Sequence, residues 1–220
     1  MGDVRAPVAG LPPVAALVLA AGGGRRLGGR PKALLAYRGR PLLEHAVAVV
    51  RGGGCAPVHV VLGAERERVA ATAELAGCAV VANPDWASGL GSSLRAGLAS
   101  LPPGCSAALV ALVDTPGVTP AAVARLLAAH RAGAALAAAC YGGGRGHPVL
   151  IGARYFGEAA AGARGDTGAR ALLAARAGEL VLVECGDVAA PDDVDTPQDW
   201  ARWSGQPGQP GWPGSLGQSG

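Results

Sequence analysis

The sequence predicts an α/β fold in which helices cover both faces of a mostly parallel sheet, giving three layers. Short apolar runs alternate along the chain with amphipathic segments, the order typical of strands joined by helical crossovers. One run, residues 107–113, is apolar at every position, as strands covered on both faces tend to be. Helices are therefore expected outside a parallel sheet.

The first half of the chain predicts a βαβαβ unit. Its three strands are Val14–Ala20, Val58–Leu62 and Cys78–Ala82, all rich in valine, leucine and alanine. One helix is expected to begin at Pro41, and a second to span residues 64–76. Strands in this order, separated by helices, pair in parallel.

A polar loop follows the third strand and leads into another helix. The loop covers residues 83–91, and Ser92 or Ser93 is expected to cap the helix, because serine hydroxyls accept hydrogen bonds from the free N–H groups of a first turn. The buried strand at residues 107–113 comes next.

The last third of the chain begins with a well-marked helix start, and the secondary structure of the segment after it is harder to predict. Thr119 is expected as an N-cap with Pro120 at the first helical position. The alanine-rich segment 132–140 is interpreted as a strand, although its period does not separate strand from helix. An apolar run at residues 180–183 precedes a helix start at Pro197.

Composition sets the domain boundaries. Hydrophobic residues make up 50% of the 220 residues and charged residues 16%, so the body of the chain is expected to fold. Residues 1–12 are expected to form a flexible leader, and residues 204–220, rich in Gly, Pro, Gln and Ser, a disordered tail. One domain is therefore predicted over residues 13–203.

Several classes of function are disfavoured by the same numbers. A net charge of +3 and 4% aromatic residues are too low for a nucleic-acid surface with stacking platforms. The apolar run at residues 14–21 is far shorter than the roughly 20 residues that span a bilayer, so no membrane partner is expected. Five scattered cysteines without a C-x-x-C pair predict reduced thiols and a cytoplasmic protein.

The strongest local feature is a glycine loop, LAAGGGRRLGGRPK, at residues 19–32 directly after the first strand. Ligands of open parallel sheets bind beyond the carboxyl ends of the strands. Glycines there allow backbone N–H groups to approach a polyphosphate, while Arg26 and Lys32 supply positive charge. A triphosphate is the expected ligand. The candidate nucleotide-binding residues of this loop are Leu19, Ala20, Ala21, Gly22, Gly23, Gly24, Arg26 and Lys32.

Two other glycine loops fit this segment poorly. The dinucleotide-binding pattern requires a glycine where Leu27 stands, and no acidic residue closes the second strand. A P-loop requires Gly-Lys-Ser/Thr, whereas Pro31 precedes Lys32 and Ala33 follows it.

Asp114 is the best candidate metal ligand. It ends the strand at residues 107–113 and precedes Thr115 and Pro116. A carboxylate at the ligand-binding edge of the sheet is well placed to hold a cation over phosphates.

A serine-containing helix start gives a further binding candidate. Ser92 and Ser93 lie in the segment 83–97, where hydroxyls and free N–H groups can bond a ribose, a base or a phosphate.

These motifs resemble a known family. The glycine loop is similar to that of the MobA-like NTP transferase superfamily, and residues 14–200 most resemble its molybdenum cofactor cytidylyltransferases. The carrying segments are Asn-x-x-Trp-x-x-Gly-x-x-Ser-Ser at residues 83–93, Gly-His-Pro at 146–148, Gly-Asp-x-Gly-Ala-Arg at 165–170 and Asp-x-Asp-Thr-Pro at 193–197. Thr115 departs from the glutamine that often follows the metal aspartate.

The resemblance implies a Rossmann-like, GT-A-like nucleotidyltransferase fold and assigns further residues. Asn83 and Gly89 would join Ser92 and Ser93 around the nucleotide. Asp195 would be the second ligand of Mg²⁺ or Mn²⁺, with Asp193 in reserve. The residues implied on the acceptor side are His147, Asp166 and Arg170.

The implied reaction is transfer of a nucleoside monophosphate, with CMP from CTP favoured, to the phosphate of a molybdopterin-type cofactor. Lys32, Arg26 and Asp114 would be the catalytic residues. The implied partners are an NTP, a phosphorylated pterin and a molybdoenzyme or its chaperone. Pro31 before Lys32, rather than an acidic residue, favours cytidylyl transfer.

Competing functions stay open from the sequence alone. A guanylyltransferase or a sugar- or polyol-phosphate nucleotidyltransferase would share the glycine loop. A non-catalytic nucleotide or cofactor carrier is the alternative of another class, and the presence of all the charged candidates argues against it. A dinucleotide-dependent oxidoreductase is the least favoured alternative.

Overall fold

The structure, a computed structural model, describes residues 12–204 of the chain. The predicted leader and tail therefore lie outside the described residues, apart from Pro12 and Ser204.

A seven-stranded sheet forms the centre of the fold, and a two-stranded hairpin lies beside it. The strands are β1 Val14–Ala20, β2 Ala36–Tyr37, β3 Arg40–Pro41, β4 Val58–Leu62, β5 Cys78–Ala82, β6 Ala107–Leu112, β7 Leu136–Tyr141, β8 Gly144–Gly152 and β9 Leu180–Glu184. The sheet has the order β5-β4-β1-β6-β8-β7-β9, and the hairpin pairs β2 with β3. Only β8 runs antiparallel to its neighbours in this sheet, β6 and β7.

Helices cover both faces of the sheet. They are α1 Leu42–Gly52, α2 Arg66–Thr72, α3 Leu90–Ala99, α4 Pro120–Arg131, α5 Phe156–Gly162, α6 Arg170–Ala175 and α7 Pro197–Ser204. Buried side chains of α1, α2, α4 and α7 form one core cluster, and those of α3, α5 and α6 form the other. None of the helices in this part of the chain is both long and apolar enough to cross a membrane.

Strand β1 shows why the sheet is buried on both sides. Its side chains alternate between the two clusters, with Ala16 and Val18 in one and Leu17 and Leu19 in the other. Because successive side chains of a strand point to opposite faces, an uninterrupted apolar run is required here. The predicted three-layer α/β fold with a mostly parallel sheet is confirmed.

Most predicted elements appear where the sequence placed them. Strands β1, β4 and β5 have the predicted bounds, and the alanine-rich segment forms β7. Helix α4 begins at Pro120, and the Thr119 hydroxyl accepts the N-cap hydrogen bond from the Ala122 amide at 3.3 Å.

Two expectations were wrong in detail, and one strand was missed. Helix α3 begins at Leu90 after Gly89, so Ser92 and Ser93 lie inside its first turns and do not cap it. Gly89 has a φ of 107°, a left-handed conformation that favours glycine and turns the chain into the helix. The predicted helix over residues 64–76 shortens to α2, and β8 was not predicted.

The sheet brings four strand ends to one edge. In the parallel register Leu19 of β1 faces Leu112 of β6, and Ala20 faces Leu62 of β4. Leu62 in turn faces Ala82 at the end of β5. The loops that follow these strands therefore open at the same edge, where ligands of open α/β sheets bind.

Candidate active site

A cavity of about 640 Å³ lies at this edge of the sheet. Its walls come from the loops after β1, β5 and β6 and from the segment before α7. The predicted site residues that line it are Leu19, Ala21, Gly22, Gly23, Gly24, Arg26, Lys32, Gly89, Ser93, Asp114, Asp166 and Asp195. Most of the predicted nucleotide and metal residues thus face one space.

One side of the cavity, which we call the ion-pair side, consists of Arg26, Lys32, Asp114 and Asp195. The Lys32 ammonium donates to Asp114 Oδ2 at 2.6 Å and to Asp195 Oδ1 at 2.5 Å. Arg26 Nη1 lies 3.8 Å from Asp195 Oδ2. Lys32, the only lysine of the chain, is thus held between two carboxylates.

The protonation of Lys32 follows from these contacts. Burial on its own would lower the pKa of the amine, but the charges and hydrogen bonds of Asp114 and Asp195 outweigh burial and raise the pKa above its ordinary value. The side chain is therefore a fixed cation at neutral pH.

Backbone contacts bring the two aspartates together from distant parts of the chain. Asp114 directly follows β6, and Asp195 lies two residues before α7. The Val194 amide donates to the Asp114 carbonyl at 2.8 Å, and the Ala190 amide donates to the Gly117 carbonyl at 3.0 Å. The segment that carries Asp195 is therefore pinned alongside the loop that follows β6.

The donor set fits a magnesium or manganese ion. Asp114 Oδ1 is buried and makes no hydrogen bond within residues 12–204, which leaves a strong acceptor available to a cation. Two carboxylates from separate loops, completed by water and phosphate oxygens, suit Mg²⁺. No group of three or more His, Cys, Asp or Glu side chains in the described part of the chain is arranged to hold a metal.

Asp193, the reserve ligand, lies outside the first cavity and lines a neighbouring one. Burial, followed by the negative charges of Asp195 and Asp114, raises the pKa of its carboxyl above the ordinary value. Because Asp195 lines the same cavity as Asp114 and Asp193 does not, Asp195 stays the better candidate for the second metal ligand.

The glycine loop has a fixed shape. Gly24 has a φ of 60°, and a Cβ at this position would lie 1.8 Å from the Arg30 carbonyl oxygen. The Gly24 carbonyl accepts hydrogen bonds from the amides of Leu27 and Gly29, and Leu27 is fully buried. The loop is thus folded back on itself and anchored in the core, with Gly22 and Gly23 left on the cavity wall.

The part of the cavity wall that contains Ser93 is built differently, and together with the buried Asn83 and Ser92, which do not line the cavity, we call it the Asn83–Ser93 side. The Asn83 amide donates to the hydroxyls of Ser92 and Ser93 at 2.9 and 3.0 Å, and its oxygen accepts from the Asp85 amide. The Ser92 hydroxyl donates to the Gly89 carbonyl. Asn83 is only 4% exposed. Asn83 and Ser92 therefore hold the loop to α3, and their predicted contact with a nucleotide stays a prediction.

A second cavity of about 220 Å³ adjoins the first and shares Leu19, Leu90 and Leu112 with it. His147 and Arg170, predicted on the acceptor side, line this second cavity, whereas Asp166 lines the first. The predicted acceptor residues are therefore divided between two neighbouring spaces.

His147 presents an unsatisfied nitrogen. Burial lowers the pKa of its imidazole, although the Asp114 charge opposes this, so the ring is neutral at pH 7. A hydrogen bond joins the ring to the Val110 backbone, while Nδ1 is buried and has no partner within residues 12–204. A ligand with an N–H or O–H donor would satisfy it.

The sequence pattern of the MobA-like NTP transferase domain matches residues 16–180. The chain belongs to the MobA-like NTP transferase family. Its glycine loop, its strand-end aspartate and its serine-containing helix all lie within the matched residues. The family is one of nucleotidyltransferases.

Relatives of this MobA-like NTP transferase include a curated protein and solved structures. The nicotine blue oxidoreductase of Paenarthrobacter nicotinovorans is 43% identical over 209 residues, covering 92% of this chain and 99% of that protein. The crystal structure of a Mycobacterium tuberculosis Rv0371c homologue from Mycobacterium sp. strain JC1 is 34% identical, with a TM-score of 0.76, and covers 86% of this chain and 93% of that one. Rv0371c from Mycobacterium tuberculosis, in complex with manganese, is 30% identical, with a TM-score of 0.74, and covers 87% and 97%.

The structure also places residues in this MobA-like site that sequence reasoning did not select. Trp86 lines the first cavity, and Arg145 lines the second beside His147. Trp86 stands inside the segment that carries the family resemblance, and Arg145 lies two residues before His147. The available signal was membership of a motif for Trp86 and proximity to one for Arg145.

Proposed function

We propose that this protein is a Mg²⁺-dependent nucleotidyltransferase that transfers a nucleoside monophosphate, with CMP from CTP favoured, to the phosphate of a molybdopterin-type acceptor. The observation that carries the proposal is the Lys32 ammonium held between Asp114 and Asp195 beside the glycine loop. Cationic and metal-binding groups together at one sheet edge are what a bound triphosphate requires.

The reaction needs alignment and charge neutralisation more than proton transfer. A phosphate monoester has a second pKa of about 6, so its oxygen is largely deprotonated at neutral pH. That oxygen attacks the α-phosphorus of the NTP, a new P–O bond forms, and the bond from the α-phosphorus to the bridging oxygen of the β-phosphate breaks. Both electrons of the broken bond leave with pyrophosphate, and no general base is needed.

Each charged group of the ion-pair side has a role in this scheme. Lys32 and Arg26 would neutralise the phosphate oxygens, and Lys32 is the less exposed and better fixed of the two. Asp114 and Asp195 would hold the divalent ion. When bound, Mg²⁺ supplies charge stabilisation to the triphosphate.

The second cavity supports an acceptor beside the nucleotide. Arg145 and Arg170 give it positive charge, and the unpartnered Nδ1 of His147 favours a ligand with a hydrogen-bond donor. A phosphorylated heterocycle such as a pterin combines these properties. The two cavities adjoin, so the acceptor phosphate could reach the α-phosphorus.

Isothermal titration of CTP, GTP, ATP and UTP in the presence of Mg²⁺ tests the nucleotide half of the proposal. We expect all four to bind through the triphosphate, with CTP tightest, and Mn²⁺ to substitute for Mg²⁺. A preference for GTP or UTP would move the assignment to a guanylyltransferase or a sugar-phosphate enzyme. Binding of none of the four would contradict the proposal.

Pyrophosphate release with a molybdopterin-type acceptor tests the transfer half. We expect release to require NTP, the divalent ion and acceptor together. Tight NTP binding without release, with this acceptor or with sugar or polyol phosphates, would favour the nucleotide-carrier alternative.

A pyridine-nucleotide-dependent oxidoreductase is the second candidate, and the 43% identical relative named as an oxidoreductase favours it. The glycine loop argues against it, because Leu27 is buried where a dinucleotide loop requires glycine. Fluorescence titration with NADH and NADPH distinguishes the two. Saturable binding tighter than that of any Mg·NTP would favour the oxidoreductase.

A further inference from the structure

Trp86 is the only aromatic side chain among the described residues that line the first cavity. It begins a short 3-10 turn, Trp86–Ser88, that follows β5. The turn is closed by hydrogen bonds from the Ser88 amide to the Asp85 carbonyl and from the Gly89 amide to the Trp86 carbonyl. The indole is partly buried, with the remainder facing the cavity.

Two glycines leave room for this indole. A Cβ at Gly63 would lie 2.4 Å from Trp86 Cβ and 2.6 Å from its Cγ. A Cβ at Gly23 would lie 3.4 and 3.5 Å from Cη2 and Cζ3 at the far end of the ring. The indole therefore extends from the end of β4 to the glycine loop after β1, in contact with backbone at both ends, so its position is well defined.

The indole of Trp86 and the ion-pair side lie at the ends of different strands of the sheet. Asp114 follows β6, whereas Gly63 follows β4, and β1 lies between these strands. Two inter-strand spacings, roughly 10 Å, separate the ends of β4 and β6, and the far end of the indole, beside Gly23 after β1, lies one spacing nearer to Asp114. A nucleoside triphosphate is long enough to place its phosphates at one end of that span and its base at the other. The cavity thus has a charged end and an aromatic end.

We propose that Trp86 is the base-stacking residue of this site and that its indole supports the nucleobase while the ion-pair side holds the triphosphate. This inference rests on the proposed function. Stacking on an aromatic face tolerates any base, because every base has a π-face. Trp86 therefore contributes affinity for planar heterocycles, and base preference comes from other groups.

Titration of a ligand pair that differs in the base tests the inference. Mg·CTP has a base, and Mg·tripolyphosphate has only the anionic part. We expect Trp86→Ala to bind Mg·CTP about 10- to 100-fold more weakly, the loss expected for one stacked base. Binding of Mg·tripolyphosphate should stay within about twofold of the wild type. Trp86→Phe should retain most of the affinity for Mg·CTP, since it keeps an aromatic face.

The outcomes distinguish this inference from the proposed function. If wild-type protein binds neither Mg·CTP nor Mg·tripolyphosphate, the proposed function fails. If Trp86→Ala weakens both ligands equally, the indole supports the glycine loop and the stacking inference is wrong. Unchanged CTP affinity in Trp86→Ala also overturns it.

Tryptophan fluorescence provides a second readout if Trp86→Ala does not fold. The chain has four tryptophans, Trp86, Trp200, Trp203 and Trp212. We expect Mg·CTP to quench wild-type emission, Trp203→Phe to keep the quench and Trp86→Phe to lose it. A quench that persists in Trp86→Phe would show that the base stacks elsewhere.

Discussion

The two sides of the cavity use polar groups in opposite ways. On the ion-pair side, Lys32 contacts two carboxylates that come from loops far apart in the chain. On the Asn83–Ser93 side, the Asn83 amide contacts hydroxyls and an amide within ten residues of itself. The first side is partly open, with 42% of the Asp195 side chain exposed, and the second is buried.

This difference suggests that the ion-pair side carries the chemistry and that the Asn83–Ser93 side maintains the structure of the loop. Ion pairs at the wall of a cavity can exchange one partner for a phosphate or a metal ion, because the incoming group replaces the lost charge. A buried amide whose hydrogen bonds are all satisfied gains nothing from such an exchange. We therefore expect mutations on the ion-pair side to affect turnover and those on the Asn83–Ser93 side to affect stability.

The largest effect is expected from Asp114→Asn. The substitution keeps the shape of the side chain but removes the charge that would hold the divalent ion, so kcat should fall about 10³-fold. Stability should change by only about 1 kcal/mol, because Lys32 keeps its contact with Asp195. Steady-state kinetics with saturating NTP and urea unfolding measure the two quantities.

Asp187→Asn is the matched control for this substitution. Asp187 is an exposed carboxylate that pairs with Arg125 and does not line the cavity. Its loss should leave kcat unchanged. Equal turnover in Asp114→Asn and Asp187→Asn would refute the metal assignment.

The next largest effect is expected from Lys32→Ala. Removing the less exposed cation of the ion-pair side leaves two carboxylates without their shared partner and takes a donor from the triphosphate, so kcat should fall about 10²- to 10³-fold. Affinity for Mg·tripolyphosphate should fall as well. Single-turnover measurements and isothermal titration test both.

Arg66→Ala provides the matched cation control. Arg66 is half-exposed on α2 and pairs with Glu67. If both variants lose turnover to the same extent, the effect comes from general charge and not from the position of Lys32.

The strand bounds and the ion-pair side could largely be predicted, because they depend on patterns of residues close together in the sequence. Strands β1, β4 and β5 were predicted with their correct bounds because each is an uninterrupted apolar run, although β5 lies at the edge of the sheet and is partly exposed. The meeting of Lys32 with Asp114 followed from strand ends sharing one edge of a parallel sheet. Both inferences need only patterns close in sequence and a topological rule.

Strand β8 and the Asn83–Ser93 side could not be predicted, because they depend on contacts between residues of different elements. Strand β8, with three glycines and Pro148, lacks the apolar period of a strand at its start and is fixed by pairing with β6 and β7. The serine cap was wrong because α3 already begins at Leu90 after Gly89, and the hydroxyls of Ser92 and Ser93, inside the helix, accept from the Asn83 amide instead. Hydrogen-bond partners of this kind are set by tertiary structure.

Asn83→Ala tests the Asn83–Ser93 side. The substitution leaves two serine hydroxyls and the Asp85 amide without their partner, so the free energy of unfolding should fall by about 1 to 3 kcal/mol. Turnover of the remaining folded protein should stay within about threefold of the wild type. Urea unfolding, with kcat measured well below the transition, gives both values.

Ser88→Ala is its control within the same loop. The Ser88 hydroxyl is exposed and donates only to the Asp85 carbonyl, so its loss should change stability by less than about 0.5 kcal/mol. A kcat loss in Asn83→Ala as large as that of Lys32→Ala would abolish the distinction between the two sides.

The smallest effect is expected from Asp199→Asn, because Asp199 supports the backbone at Asp195 and does not itself line the cavity. Asp199 Oδ2 accepts hydrogen bonds from the Thr196 amide and hydroxyl and from the Asp195 amide, and the contacts with Thr196 lower the pKa of this carboxyl to about 2. The folded state therefore binds the proton less tightly than the unfolded chain does. The resulting stability is present above the ordinary pKa and is lost as the pH falls from about 4 to about 2.

Asp199→Asn should be less stable than wild type at pH 5, and the difference should shrink steadily toward pH 2 in urea unfolding. Because Asp195 keeps its own carboxylate, kcat should fall only a few-fold. A stability difference independent of pH would mean that Asp199 positions Asp195 by packing alone.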